Sequence, residues 1–222
     1  MLRLWHPRRF SEKRPVNNPN PPLPEAPVLL EQIRSGNETA LGKLLESYSA
    51  YLTLLARVQI GRRLQGKVDP GDVVQEVFLD VHRQIGQFRG TTEAEWSAWL
   101  RRILAGHIAL LLRHYLGTKA RDINLECELQ AQIDQSSIML DQGLLANHST
   151  PSQHASRREQ SVLLAEALAK LPEDYREVII LRHVESLSFP EVAGRMKRSE
   201  DSVQKLWVRA LANLKRTLGG TT

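Results

Sequence analysis

Apolar residues along this chain fall mostly three and four positions apart. Leu41, Leu44, Leu45, Tyr48, Leu52 and Leu55 recur at that interval and put one stripe toward a core, so a helix is predicted there. A second helix begins more sharply in "VDPGDVVQEVFLDVHRQI". Asp69 is placed to cap it, Pro70 suits its first turn, and Asp72 suits the positive end of the helix dipole. Its buried stripe is Val73, Val74, Val77, Phe78, Val81 and Ile85. After a turn around Phe88 to Thr92, a long helix is predicted from about Glu93 to Leu116. Trp96, Leu100, Ile103, Leu104, Ile108, Leu111, Leu112 and Tyr115 lie along one side of it. That spacing makes Trp96 and Trp99 core residues rather than stacking platforms for bases.

From Gly117 to Glu159 the period fades into Gln, Ser, His and Asp, and the stretch reads as a linker with a short helix around Ile138 to Leu145. Helical spacing resumes at Ser161 and continues to Leu218. No segment alternates with the period of a strand. The expectation is an all-α protein of two small helical domains joined by a flexible linker. The boundaries are a Pro-rich tail at 1–27, a helical bundle at 28–120, the linker at 121–158, a second helical unit at 159–218 and a short tail at 219–222.

Composition narrows the partner. The chain has 222 residues, 41% hydrophobic and 25% charged, with a formal net charge of +5, which favours an anionic partner. Cys127 is the only cysteine, so no internal disulfide or thiolate metal site can form, which fits a reducing cytoplasm. No apolar run approaches the roughly 18 residues of a membrane helix, and Arg and Pro interrupt the start where a signal peptide needs an apolar core. The expectation is a cytoplasmic protein without membrane insertion. The common catalytic and phosphate-loop patterns are absent, and His107 and His114 have no third ligand beside them. Neither an enzyme, a metal nor a cofactor is expected.

The candidate chemistry lies near the end, in "PEVAGRMKRSEDSVQKLWVRAL". Ser188 and Glu191 have the spacing of a capping box, and Ser199 can cap the helix that follows. Val203, Trp207, Ala210 and Leu214 face inward on that last helix, as the second helix of a helix-turn-helix requires. Gln204, Lys205 and Val208 then point outward as candidates for base edges and a thymine methyl. Ser202, Arg198 and Arg209 are candidates for phosphates, and Arg195 and Lys197 could add to them. Lys197 stands where such turns often have Gly, at a cost of ~1 kcal/mol if the backbone is left-handed there.

Together "DPGDVVQEVFLDVHRQIGQFRG", "WLRRILAGHIALLLRHYLGTKARD" and "LAKLPEDYREVIILRHVESLSFPEVAGRMKRSEDSVQKLWVRALANL" resemble a bacterial RNA polymerase sigma factor of the extracytoplasmic-function (ECF) group. The resemblance runs from about Leu29 to Leu218. The linker and "TPSQHASRREQ" also resemble a planctomycete-type subgroup. The resemblance implies that the two units are sigma regions two and four, which bind core RNA polymerase and promoter DNA. It implies that Asp72, Gln75, Glu76 and Asp80 meet the polymerase.

It also implies that Arg101, Arg102, His107, Arg113, His114, Lys119 and Arg121 meet the minus-ten element, partly as single strand. Gly106 and His107 replace an Arg-Asn pair common in the family, so strand contacts there depart from its pattern. Region four would read the minus-thirty-five element through the last helix. An anti-sigma factor is a further partner the resemblance admits. Two other readings remain: a free-standing helix-turn-helix regulator that binds a palindromic site as a dimer, and a helical adaptor that binds only protein.

Overall fold

The computed structural model describes residues 26–61, 64, 66–116, 124–143 and 154–219. Among them there is no strand, so the all-α expectation holds. Helices α1 (Ala26–Arg34), α2 (Glu38–Gly61), α3 (Pro70–Gln84) and α4 (Glu93–Leu116) form the N-terminal bundle. Then come α5 (Leu125–Gly143), α6 (His154–Ala169), α7 (Glu173–Ile179), α8 (Phe189–Met196) and α9 (Glu200–Gly219). The Pro-rich tail lies outside the described residues except for Ala26 and Pro27, which open α1.

Helices α2, α3 and α4 each start where a side chain can satisfy a first-turn N–H group. Asn37 Oδ1 accepts from the Ala40 N–H at 3.1 Å, and Asp69 accepts from the Gly71 N–H at 2.6 Å with Pro70 next to it. At α4, Thr92 Oγ1 accepts from the Glu95 N–H at 3.2 Å, while the Glu95 carboxylate accepts from the Thr91 and Thr92 N–H groups at 2.8 and 3.0 Å. These bonds hold the Glu95 carboxyl below its ordinary pKa, the Thr91 N–H first. Gly90 is required in this turn, since a Cβ there would fall 2.4 Å from the Phe88 ring.

The predicted stripes are the observed core. Leu41, Leu44, Leu45, Tyr48, Leu52 and Leu55 are buried on α2, and Val73, Val74, Val77 and Val81 on α3. Trp96, Leu100, Leu104, Ile108 and Leu112 are buried on α4. Phe88, Trp96 and Trp99 form an aromatic cluster with ring centroids 5.0–5.5 Å apart, so both tryptophans pack against the bundle. Tyr115 differs from the expected stripe and is exposed near the end of α4.

The connection between the units departs from expectation. Its described part includes the whole of α5, much longer than the short helix expected at Ile138 to Leu145, and α6 starts seven residues ahead of Ser161. α5 has a sparse inward stripe, Leu129, Ile133 and Leu140, with Ser136 and Ser137 buried between them. So few apolar residues give a weak period, yet they suffice when α4 and α2 supply the other side. α6 in turn lies against α2, and Arg57 of α2 approaches Glu173 of α7 at 4.0 Å.

Candidate nucleic-acid interface

The C-terminal unit is built to hold α9 by one side. α6, α7 and α8 all pack against it, burying Val203, Leu206, Ala210 and Leu214, with Trp207 half-buried. α7 continues without a break into one π-helical turn, Ile180–Val184, whose Ile180, Leu181 and Val184 join the same core. The Glu191 carboxylate accepts from the Ser188 N–H at 2.7 Å and from Ser188 Oγ at 2.6 Å, tying the start of α8 as the sequence predicts. Ser199 Oγ accepts from the Ser202 N–H at 3.3 Å at the start of α9.

The turn between α8 and α9 closes on a left-handed residue. Lys197 has φ 53° and ψ 45°, the Arg198 N–H donates to the Ala193 carbonyl at 3.0 Å, and the Lys197 N–H donates to the Gly194 carbonyl. This is the hydrogen-bond pattern with which helices end on Gly, here made with Lys. The turn therefore keeps the left-handed geometry and carries the strain. Lys197→Gly is expected to raise stability by about 1 kcal/mol, close to 2–4 °C in Tm for a chain of this size, in a thermal melt.

On the outward side, Gln204, Lys205, Val208 and Arg209 are exposed, Val208 at 59%, while Ser202 is half-buried. Arg195, Lys197 and Arg198 are exposed at the turn. Gln204 donates to Glu200 at 3.1 Å and Lys205 to Asp201 at 2.7 Å, each one turn back on the same helix. Exposed pairs of this kind contribute only about 0.3–0.5 kcal/mol, less than the ~1–3 kcal/mol of a bidentate base contact, so they yield when a base is offered. Arg198 is tied to Asp174 of α7 at 2.6 Å, fixing the entrance of α9 against that helix.

Two further contacts of this unit carried no signal in the sequence, one holding α9 and the other the start of α8. Trp207 Nε1–H donates to His183 Nε2 at 3.1 Å, and the two rings stack. Arg182 lies 4.3 Å over the Phe189 ring and donates to the Leu187 carbonyl, bracing the loop into α8. Burial, then the charge of Arg182, lowers the pKa of His183. A depressed folded-state pKa leaves stability whole above about pH 6.5, where the unfolded imidazole is also neutral, and erodes it as pH falls below that. The urea midpoint should therefore fall on acidification through that window, and His183→Gln should show a smaller fall.

In the N-terminal bundle, Asp72, Gln75 and Glu76 are exposed on α3, off the buried stripe. Asp80 is different. It accepts from Arg83 at 2.9 Å and is paired at 2.7 Å with His107 of α4, which lowers its pKa chiefly through that hydrogen bond. Asp80, expected to meet polymerase, and His107, expected to meet DNA, thus hold α3 to α4, each side chain half-buried.

Arg101 departs further from the expected strand contact. It is 6% exposed, donating to Asp134 at 2.5 Å, to Ser97 Oγ at 2.7 Å and to Tyr51 Oη at 3.3 Å. It faces α5 and not solvent, so it cannot serve as a strand contact in this arrangement. Arg102 and His114 are exposed and Arg113 is half-buried; Lys119 and Arg121 lie outside the described residues.

Residues 161–214 match the family described as sigma-70, region 4. The chain is similar to the ECF RNA polymerase sigma-E factor of Haemophilus influenzae, at 27% identity over 183 residues, 82% of this chain and 89% of that one. It is equally similar to the sigma-E factor of Escherichia coli, at 27% over 188 residues, covering 82% and 88%. A solved structure described as CnrH in complex with the cytosolic domain of CnrY matches over 90% of this chain and 100% of that one, at 24% identity and a TM-score of 0.32. Beyond the region 4 match at residues 161–214, the likeness to these sigma-E factors spans more of the chain than either helical unit alone.

Proposed function

We propose that the chain is a sigma factor that joins core RNA polymerase and directs transcription initiation at chosen promoters. The observation that carries this reading is α9, buried along one side and presenting Gln204, Lys205, Val208 and Arg209 along the other, inside the segment that matches region 4. Inserted in the major groove, that side would read the minus-thirty-five element, with Arg198 and Ser202 holding phosphates near the helix start. Arg102, Arg113 and His114 are the described candidates for the minus-ten element, with Lys119 and Arg121 beyond them. Arg101, buried against α5 in this structure, is left out of that set. Polymerase supplies the chemistry; this chain supplies binding and position.

Among the described residues no helix is long and apolar enough to cross a membrane. That fits work beside polymerase in the cytoplasm. The free-standing regulator is not favoured, because the likeness to sigma-E factors extends well beyond the helix-turn-helix. We keep the planctomycete-type subgroup, and an anti-sigma partner, as finer parts of the proposal. The subgroup rests only on the linker residues.

Co-purification with core polymerase tests the reading. The exposed carboxylate of Glu76 beside Asp72 and Gln75 gives α3 an acidic face for a basic partner, so charge complementarity would speed and orient docking. Glu76→Lys is expected to weaken polymerase binding about tenfold or more while leaving the thermal melt unchanged. Equal binding by the variant would show that this face is only solvated.

A further inference from the structure

Trp207 belongs neither to the buried stripe of α9 nor to its exposed side. It is half-buried on the border, with Val203, Leu206 and Ala210 toward one flank and Gln204 and Val208 toward the other. Its indole is held from two directions. His183 stacks on it with ring centroids 6.0 Å apart and planes 21° from parallel, while Phe189, itself under Arg182, meets it edge-on at 5.6 Å. The π-helical turn at Ile180–Val184 helps to arrange this, since a π turn adds a residue and changes which side chains face a neighbour. Ile180, Leu181 and Val184 stay in the core, and Arg182 and His183 meet Phe189 and Trp207.

The hydrogen bond from Trp207 fixes a chemical state. An indole N–H can only donate, so the bond of 3.1 Å from Trp207 Nε1 requires a lone pair on His183 Nε2, with the imidazole proton on Nδ1. The ring is therefore neutral. A doubly protonated ring has no acceptor left for Trp207.

We propose that His183 is a positioning residue for base reading: through Trp207 it fixes the rotation of α9 about its own axis, and so the placement of Gln204, Lys205 and Val208 against base edges. The inference rests on the initiation reading, since it takes that side of α9 to meet the minus-thirty-five element. At a side-chain radius of about 5–6 Å, a roll of about 10° displaces a tip by about 1 Å, and recognition needs groups held within about 0.5 Å. Packing through Val203, Leu206, Ala210 and Leu214 is non-directional, whereas a hydrogen bond has a favoured direction. The long cationic side chains that hold phosphates follow a small roll, so base discrimination suffers before affinity does.

Acid undoes the same bond. Among the described residues, the charge acting on His183 is that of Arg182, which with burial opposes protonation. No carboxylate offsets it, neither Glu185 beside the turn nor Asp134 of α5, Glu177 of α7, Glu191 of α8 and Asp201 of α9. Discrimination should therefore hold at and above about pH 6.5 and fall below it as the imidazole protonates.

The test uses polymerase reconstituted with the full chain, on a promoter it transcribes and on the same promoter with its minus-thirty-five element scrambled. Discrimination is the ratio of the two apparent affinities. His183→Phe keeps a ring to stack on Trp207 but offers no acceptor, and should lower the ratio about five- to tenfold while the affinity for the scrambled promoter stays the same. His183→Gln, whose amide oxygen can accept the bond, should keep most of the ratio. Trp207→Phe should lose as much as His183→Phe, and the double variant no more than either, because all three remove one bond. From about pH 7.5 to about pH 5.5 the ratio should fall for the parent and stay level for His183→Gln. An undiminished ratio in His183→Phe, equal losses on both promoters, or His183→Gln no better than His183→Phe would overturn the positioning role. The two failures differ: a chain that starts no transcripts refutes the initiation reading and this role with it, whereas a transcribing chain whose His183→Phe variant keeps the ratio refutes the role alone.

Discussion

Arg101→Ala is expected to lower the unfolding free energy by about 2–4 kcal/mol, because it removes a buried guanidinium and leaves three partners to find others. The residue joins three helices at once: Ser97 on its own α4, Tyr51 on α2 and Asp134 on α5. Hydrogen bonds to charged groups contribute about 1.5–3 kcal/mol each, but three that share one donor do not add independently, which sets the upper bound. Tyr51 also loses a neighbour inside the core, where it is 2% exposed and its ring packs edge-on to Tyr48 at 6.0 Å. Urea unfolding followed by circular dichroism measures the effect. A variant that melts like the parent but loses promoter opening would restore Arg101 to the strand contacts and show that the α5 seat is not held in solution.

The second large effect is expected on promoter choice. Gln204→Ala with Lys205→Ala should cost about 2–5 kcal/mol in discrimination at the minus-thirty-five element, since each lost base contact is worth roughly 1–3 kcal/mol and neighbouring contacts add incompletely. Fold should be untouched: both side chains are exposed, and each loses only a surface partner on its own helix. Arg209→Ala should act otherwise, weakening all promoters alike and lowering the salt dependence, as a phosphate contact does. Selection from a library randomised at the minus-thirty-five element separates the two outcomes. If the double variant keeps the parent's preference, Gln204 and Lys205 do not read bases.

These two predictions also mark where the sequence was legible. Gln204 and Lys205 could be placed outward from Val203, Ala210 and Leu214 alone, because α9 packs by a single stripe and everything opposite it must face away. Arg101 could not. α4 is covered on two sides, by the bundle and by α5, and the second side is lined by Ala105, Ala109 and Arg101 itself, which give no apolar period. The residue that would have explained a buried arginine, Asp134, is 33 positions away on a helix that read as linker. The same holds for His107 and Asp80, each placed correctly on its helix, with no local sign that the two would meet. Caps were legible because they are local: Asp69, Ser188 with Glu191, and Ser199 act within three residues. Thr92 with Glu95 has the same spacing and shows that the signature extends to α4.

If the proposed function holds, this chain gives core RNA polymerase a promoter preference it lacks alone. In vitro transcription with purified core polymerase on a promoter library, with and without the full-length chain, measures this directly. New start sites that share a minus-ten and a minus-thirty-five element should appear only when the chain is present. Identical transcripts in both reactions would contradict it.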